Sequence, residues 1–168
     1  NSPFDTAAPD FVLEDFEDGV LSPAGASASG GAPLAPGVDT DSVDGDDGAV
    51  DGFGRDGHSF LFSTDGPAGI TFSFDPLVLG GLPHQAGVVW TDGDGEVVFE
   101  AFDAAGICLG VTGPTTLGDG RSDGATPEDR FFGVTNDGGV SAIRIATSAG
   151  TIEVDHLQVG AFNLPPVC

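Results

Sequence analysis

The chain has no lysine, no methionine and no tyrosine, a single tryptophan (Trp90) and two cysteines. Its only cationic side chains are four arginines, Arg55, Arg121, Arg130 and Arg144, set against 27 aspartates and glutamates for a formal charge of −23. That balance excludes a nucleic-acid or anionic-membrane surface, because both partners are held by basic groups that displace counterions. It suits cations, basic partners, neutral glycans or a salty medium. No apolar run is long enough to cross a bilayer as a helix. There is no initiator methionine and no signal peptide, which fits a processed, exported chain, secreted or held at the cell surface. In such a chain Cys108, in an apolar strand-like run, and Cys168, the last residue, are expected to pair and tie down the C-terminus.

What is present points to strands and turns. Of the acids, 21 are Asp and 6 are Glu, and Asp favours turns, where its short side chain bonds nearby backbone. Gly (28) and Pro (12) add to the turn count. About nine runs rich in Val, Ile, Phe and Thr follow one another at short spacing. They are 11–16, 59–63, 69–75, 87–91, 96–103, 107–112, 129–134, 140–146 and 151–159. No window has a capped helical period. At 168 residues this is one domain, all-β: an antiparallel β-sandwich of jelly-roll form. "TDGDGE" (91–96) and "DAAG" (103–106) read as tight hairpins. The uncharged, low-complexity stretch 22–37 reads as a mobile loop or linker, 113–128 as a second long loop, and 160–168 as a tail.

The acids sit in two kinds of place. Strand alternation puts Glu14 on the face of Val12 and Phe16, Glu100 on that of Val98 and Phe102, and Asp155 on that of Leu157 and Val159. A carboxylate on an apolar face must be neutralised or bonded. Arg130 is a candidate partner for Glu100, and a divalent cation is the economical partner for Glu14 and Asp155. The second place is "DTDSVDGDDGAVDG" (39–52), which offers Asp39, Asp41, Asp44, Asp46, Asp47 and Asp51. Its spacing is not that of an EF-hand, since Val43 and Ala49 fall where that loop needs an acid and a glycine. Oxygen-rich, glycine-flanked and flexible, it suits calcium, with a solvated acidic surface as the alternative.

Several strings taken in order resemble exported bacterial proteins that often carry a PEP-CTERM sorting tail. They are "DSVDGDDG", "GITFSFDPLVLGGLP", "GVVWTDGDG", "FEAFDAAGICLG", "EDRFFGV" and "IEVDHLQVG", spanning roughly 38–160. The sorting tail itself, an apolar span with basic residues after it, is missing. More loosely, the arrangement is similar to carbohydrate-binding jelly rolls, whose structural calcium lies between an acid of the first strand and an Asp of the last. Glu14 or Glu17 and Asp155 occupy the matching positions, so the resemblance implies calcium there.

Catalytic signatures are missing. The histidines His58, His84 and His156 have no zinc spacing, and there is no nucleophile elbow. Carboxylates are too numerous for any pair to mean glycosidic cleavage. "HQAGVVWTDGDG" brings His84, Trp90 and Asp92 together in sequence, and an exposed Trp90 could stack on a sugar ring, although a lone strand tryptophan is more often core. The expectation is therefore a secreted, calcium-binding, non-catalytic module for an extracellular glycan or matrix. A structural subunit that contacts copies of itself or other subunits is the second reading, and a polysaccharide-degrading enzyme the third.

Overall fold

The computed structural model describes residues 2–38, 40–43, 57–62, 66–121 and 128–162. In chain order the elements are β1 (Val12–Glu14), β2 (Ala26–Ala28), β3 (Ala32–Leu34), β4 (Ser59–Phe62), β5 (Ile70–Phe74) and α1 (Pro76–Leu79). Then come β6 (Gln85–Phe102), β7 (Cys108–Asp119), β8 (Arg130–Thr135), β9 (Ala142–Thr147) and β10 (Ile152–Gly160). The strand runs read from the sequence all reappear, and the fold is an antiparallel β-sandwich as expected. The one-turn helix was not foreseen. It is set by Asp75, whose carboxylate accepts Leu77 N–H at 2.8 Å, and is closed by left-handed Gly80.

One sheet runs β8–β6–β10, with β1 and β4 sharing the far edge of β10 and β3 beyond β4. The other runs β2–β5–β9–β6–β7. Strand β6 belongs to both. Its first half, with Val88 and Trp90 inward, faces the first sheet's core, and its second half supplies Val97, Phe99 and Ala101 from the other side. Phe72, Ile143, Ile145, Ile152 and Val154 fill the space between, and Phe60 meets both Phe16 and Phe72 ring to ring.

The hairpin expected at 91–96 is therefore a corner within one strand. Trp90 faces Val154 and Asp92 faces Glu153 across β10, so Thr91 is the extra residue of a β-bulge. Gly93 (φ 155°) and Gly95 (φ 81°) then take backbone angles that side chains resist, and the strand passes into the second sheet. The strand-flanked "DG" signal was correct about the glycines and wrong about what they turn. The second hairpin does form: Asp103 Oδ1 accepts Ala105 N–H and Ile107 N–H, both at 2.8 Å, and joins β6 to β7.

Stretch 22–37, expected as a loop, contributes β2 and β3 instead. Ala26–Ala28 pairs with Phe72–Phe74, and Ala32–Leu34 with Ser59–Leu61, so it forms an edge strand of each sheet. Small side chains carry no strand signature, but a three-residue edge needs only backbone partners. Likewise 113–119 continues β7 along β6 as far as Asp119.

A Cβ on Gly93 would lie 2.6 Å from Thr151 O and from two ring carbons of Trp90. Gly93→Ala is expected to cost about 2 kcal/mol or more of stability through clash and backbone strain. Urea denaturation checks it, with Gly106→Ala, whose Cβ meets nothing within 4 Å, as a comparison that carries the φ strain alone.

Candidate cation centre and surface groove

The outer side of the first sheet carries an unusual set of buried acids. Asp41, Asp92, Glu128, Asp129, Glu153 and Asp155 are all buried. Glu153 and Asp155 alternate along β10 and point away from the hydrophobic core, and Asp92 joins them as the cross-strand partner of Glu153. Residues 40–43 lie against Glu153 and Asp155, with Thr40, Asp41, Ser42 and Val43 themselves buried.

That crossing segment supplies donors. Glu153 Oε1 accepts Asp41 N–H at 2.8 Å and the Ser59 hydroxyl at 2.6 Å. Asp155 Oδ2 accepts Val43 N–H at 2.9 Å and the Ser42 hydroxyl at 3.1 Å, while its Oδ1 takes His156 N–H at 2.6 Å. A second bulge positions Asp155: His156 adopts φ 49°, and the register with β6 jumps between Asp155 and Gln158. Leu157 thus turns into the core while Asp155 faces the covering segment.

Of the two first-strand candidates, Glu14 is committed locally. Its carboxylate accepts Phe16 N–H at 2.8 Å and also Ser22 N–H, clasping a turn in which Phe16 is left-handed at φ 58°. Burial raises its pKa, and these two backbone bonds work against that rise. Glu17 instead bonds beside the covering segment, at His58. It accepts His58 N–H at 2.6 Å, with its other oxygen 3.2 Å from His58 Nδ1. A Cβ on Gly57 would fall 2.7 Å from Glu17 Oε1 and 2.2 Å from Ser42 Oγ, so only glycine leaves room there. Glu17, the 40–43 segment and Asp155 therefore meet around Gly57 and Ser42. Among the described residues no three His, Cys, Asp or Glu side chains form a metal-holding group. Asp39, Asp44, Asp46, Asp47 and Asp51 lie outside the described residues, and so does Cys168. Cys108 is an exposed free thiol with its Sγ 3.4 Å from Gly110 O.

The triad read from "HQAGVVWTDGDG" does not assemble. Trp90 is 0% exposed and sits at the centre of the core, so its ring cannot stack on a ligand in this structure. The hydrophobic payload of an indole at an inward position of a shared strand outweighs any surface role. His84 lies six residues before Trp90, about 20 Å along an extended strand, with its backbone bonded to Gly160 and Asn136. Asp92 is pushed up to about 9, first by burial, then by a hydrogen bond with Glu128 and by the charges of Glu128 and Glu153.

The opposite sheet carries a groove of about 310 Å³ on its outer face, which sequence reasoning missed. Glu96, Val98 and Glu100 from β6 and Arg144 and Ala146 from β9 line it, with Pro67 and Pro114 at its sides. Glu100 was matched to Arg130 from sequence. It pairs instead with Arg144, its cross-strand neighbour, at 2.5 Å, whereas Arg130 stands opposite Trp90. Strand order decides that choice, and alternation cannot supply it. Arg144 is held flat by Pro67 O (2.9 Å) and Ala68 O (2.9 and 3.0 Å).

No family model matches this chain, and no curated protein does. Among solved structures, the K2 cleaved adhesin domain of Lys-gingipain is similar at 12% identity and a TM-score of 0.52, covering 90% of this chain and 99% of that one. The K1 cleaved adhesin domain of Lys-gingipain from Porphyromonas gingivalis has 16% identity and a TM-score of 0.47, covering 90% and 98%. The CBM22-2 xylan-binding domain of Xyn10C from Paenibacillus barcinonensis has 17% identity and a TM-score of 0.45, covering 89% and 98%. The first of these likenesses is one of fold.

Two outcomes follow. Trp90→Ala is expected to cost about 3–5 kcal/mol as a large core truncation, and the emission of Trp90 to be blue and indifferent to added glycans. For Asp92 the unfolded carboxylate titrates near 4 and the folded one near 9. Between those values the folded chain keeps a proton that the unfolded chain has lost, so stability falls as pH rises through that window. Asp92→Asn, which donates to Glu128 as the protonated acid does, should flatten the decline and stabilise the chain at pH 8. Denaturant titrations at several pH values in chelator would expose an unchanged slope.

Proposed function

We propose that the chain is an exported, non-catalytic binding module whose sandwich is stabilised by calcium and whose second sheet binds a neutral glycan or matrix polymer. The observation that carries the binding half is the groove with Arg144 fixed beside Glu100 at its centre. A guanidinium at the centre disfavours a cationic ligand, and the flanking Glu96 and Glu100 disfavour an anionic one. A neutral polyol satisfies both, offering paired hydroxyls to carboxylate and guanidinium while its C–H faces cover Val98 and Ala146. Because Arg144 is already held by backbone carbonyls, little ordering is left to do on binding.

Catalysis is the weaker reading on geometric grounds. Glu96 and Glu100 lie four residues apart on one strand, about 13 Å, beyond the separation at which two carboxyls flank a glycosidic bond. Asp92 and Glu128 do face each other but are buried away from any polymer. The likeness to a domain named as an adhesin is in keeping with attachment rather than turnover.

Calcium is proposed at the meeting point of Glu17, the 40–43 segment and Asp155, with the aspartates between 39 and 51 completing the oxygen set. Their chemistry suits a hard cation held by carboxylate and carbonyl oxygens in flexible geometry. The bound ion would link β10 to the covering segment and offset their like charges.

Thermal melts in calcium, in chelator and in concentrated sodium chloride test the metal half. Ligand at a hundred times its dissociation constant should add about 2.7 kcal/mol, and Asp155→Asn should abolish most of that gain. Equal midpoints in all three media would remove calcium from the account. Titration calorimetry against a panel of neutral polysaccharides tests the groove, with dissociation constants expected from about 1 μM to 1 mM. Arg144→Ala and the milder Glu100→Gln should each weaken binding about tenfold or more while the calcium-dependent melt persists. Binding unaffected by both changes would move the ligand elsewhere.

A further inference from the structure

Sheet edges expose unpaired backbone groups, and folded proteins protect them with short strands, proline or charge. Three edges here follow that rule. β2 and β3 are three residues each, with Pro33 inside β3, and β8 opens on Arg130. β7 does not. It is twelve residues long, pairs only with β6 among the described residues, and is exposed from Cys108 to Thr116. From Ala104 to Gly118 it carries no charged side chain, in a chain of net charge −23. Ile107 and Val111 are 64% and 58% exposed. Behind the edge a cleft of about 160 Å³ opens between β7 and β8, reaching Phe99 and Ala101 of the core.

We infer that this edge pairs with the same edge of a second copy, β7 running antiparallel to β7 about a two-fold axis. Antiparallel self-pairing is isologous, so whatever one strand offers must suit itself. An acidic edge would set carboxylate against carboxylate. β7 has none to set until Asp119, making it a line along which two such acidic molecules can touch without juxtaposed charges. The ladder runs over Cys108–Gly113, because Pro114 has no N–H to contribute. Each copy then covers the other's exposed Val111 and the mouth of its cleft, and the two five-stranded sheets become one. Pro114 borders the groove described above, so the two grooves share a continuous face.

The contact is small, so the dimer is weak and opposed by long-range repulsion. Sedimentation of the intact chain in reductant, at about 1 M sodium chloride to shorten the screening length to about 3 Å, is the test. The wild type should approach twice the chain mass as concentration rises toward about 1 mM. Val111→Asp, at an exposed position, should weaken association at least tenfold with an unchanged melt. Amide exchange over Cys108–Gly113 should slow at least tenfold on association in the wild type. A monomer at every concentration, a dimer indifferent to Val111→Asp, or protection confined to other strands would each overturn the inference. A monomer that a foreign extended peptide protects over β7 would do so too, assigning the edge to another partner. None of these readouts involves calcium or glycan, so the inference and the binding-module reading fail separately.

Discussion

Strand β6 must serve two sheets at once, and most of the molecule is arranged by how it does so. Its first half pairs with β8 and β10, its second with β7 and β9. The passage between them needs an extra residue, Thr91, and two glycines whose backbone angles other residues resist. At that corner Gly93 lies against the Trp90 ring and the Thr151 carbonyl, too close for any side chain. The buried tryptophan, the register of β10 and the placement of Asp92 beside Glu153 all follow from the same bend. A straight strand would have sent Asp92 to the opposite face.

The second organising constraint is desolvation of acids. The chain carries far more carboxylates than arginines, and it buries several on the outer side of one sheet, where burying charge is costly. Neutralisation comes from several sources. Backbone N–H and hydroxyl groups of the crossing segment serve Glu153 and Asp155, local turns serve Glu14, and a shared proton serves Asp92. A cation at the Glu17–Asp155 meeting point would take over part of that work, tying stability to metal and pH together. The second sheet faces outward with one rigid ion pair and an otherwise gentle lining. The buried acids and the groove thus lie on the outer faces of different sheets.

Asp155 and Trp90 mark the two ways the strand pattern can be read. Alternation flagged Asp155 as an acid that needs a partner, and it has backbone, hydroxyl and neighbouring N–H partners in the structure. Alternation could not tell that Glu14 would satisfy itself within its own turn while Glu17 would reach across to His58. Nor could it find the groove, whose walls come from β6 and β9, more than forty residues apart in sequence.

By itself the sequence determined the all-β class, the position of nearly every strong strand, the tight turn after β6 at Asp103 and a surface of one sign. These are local: they depend on side-chain branching, on backbone freedom and on the count of charges. Only the tertiary structure decided that two predicted strands are one, that 22–37 supplies two sheet edges, that Arg144 rather than Arg130 meets Glu100, and that Trp90 is core. Each of those depends on which strand lies beside which. Register and strand order are fixed by the sum of many distant contacts, and no short stretch of sequence carries that sum.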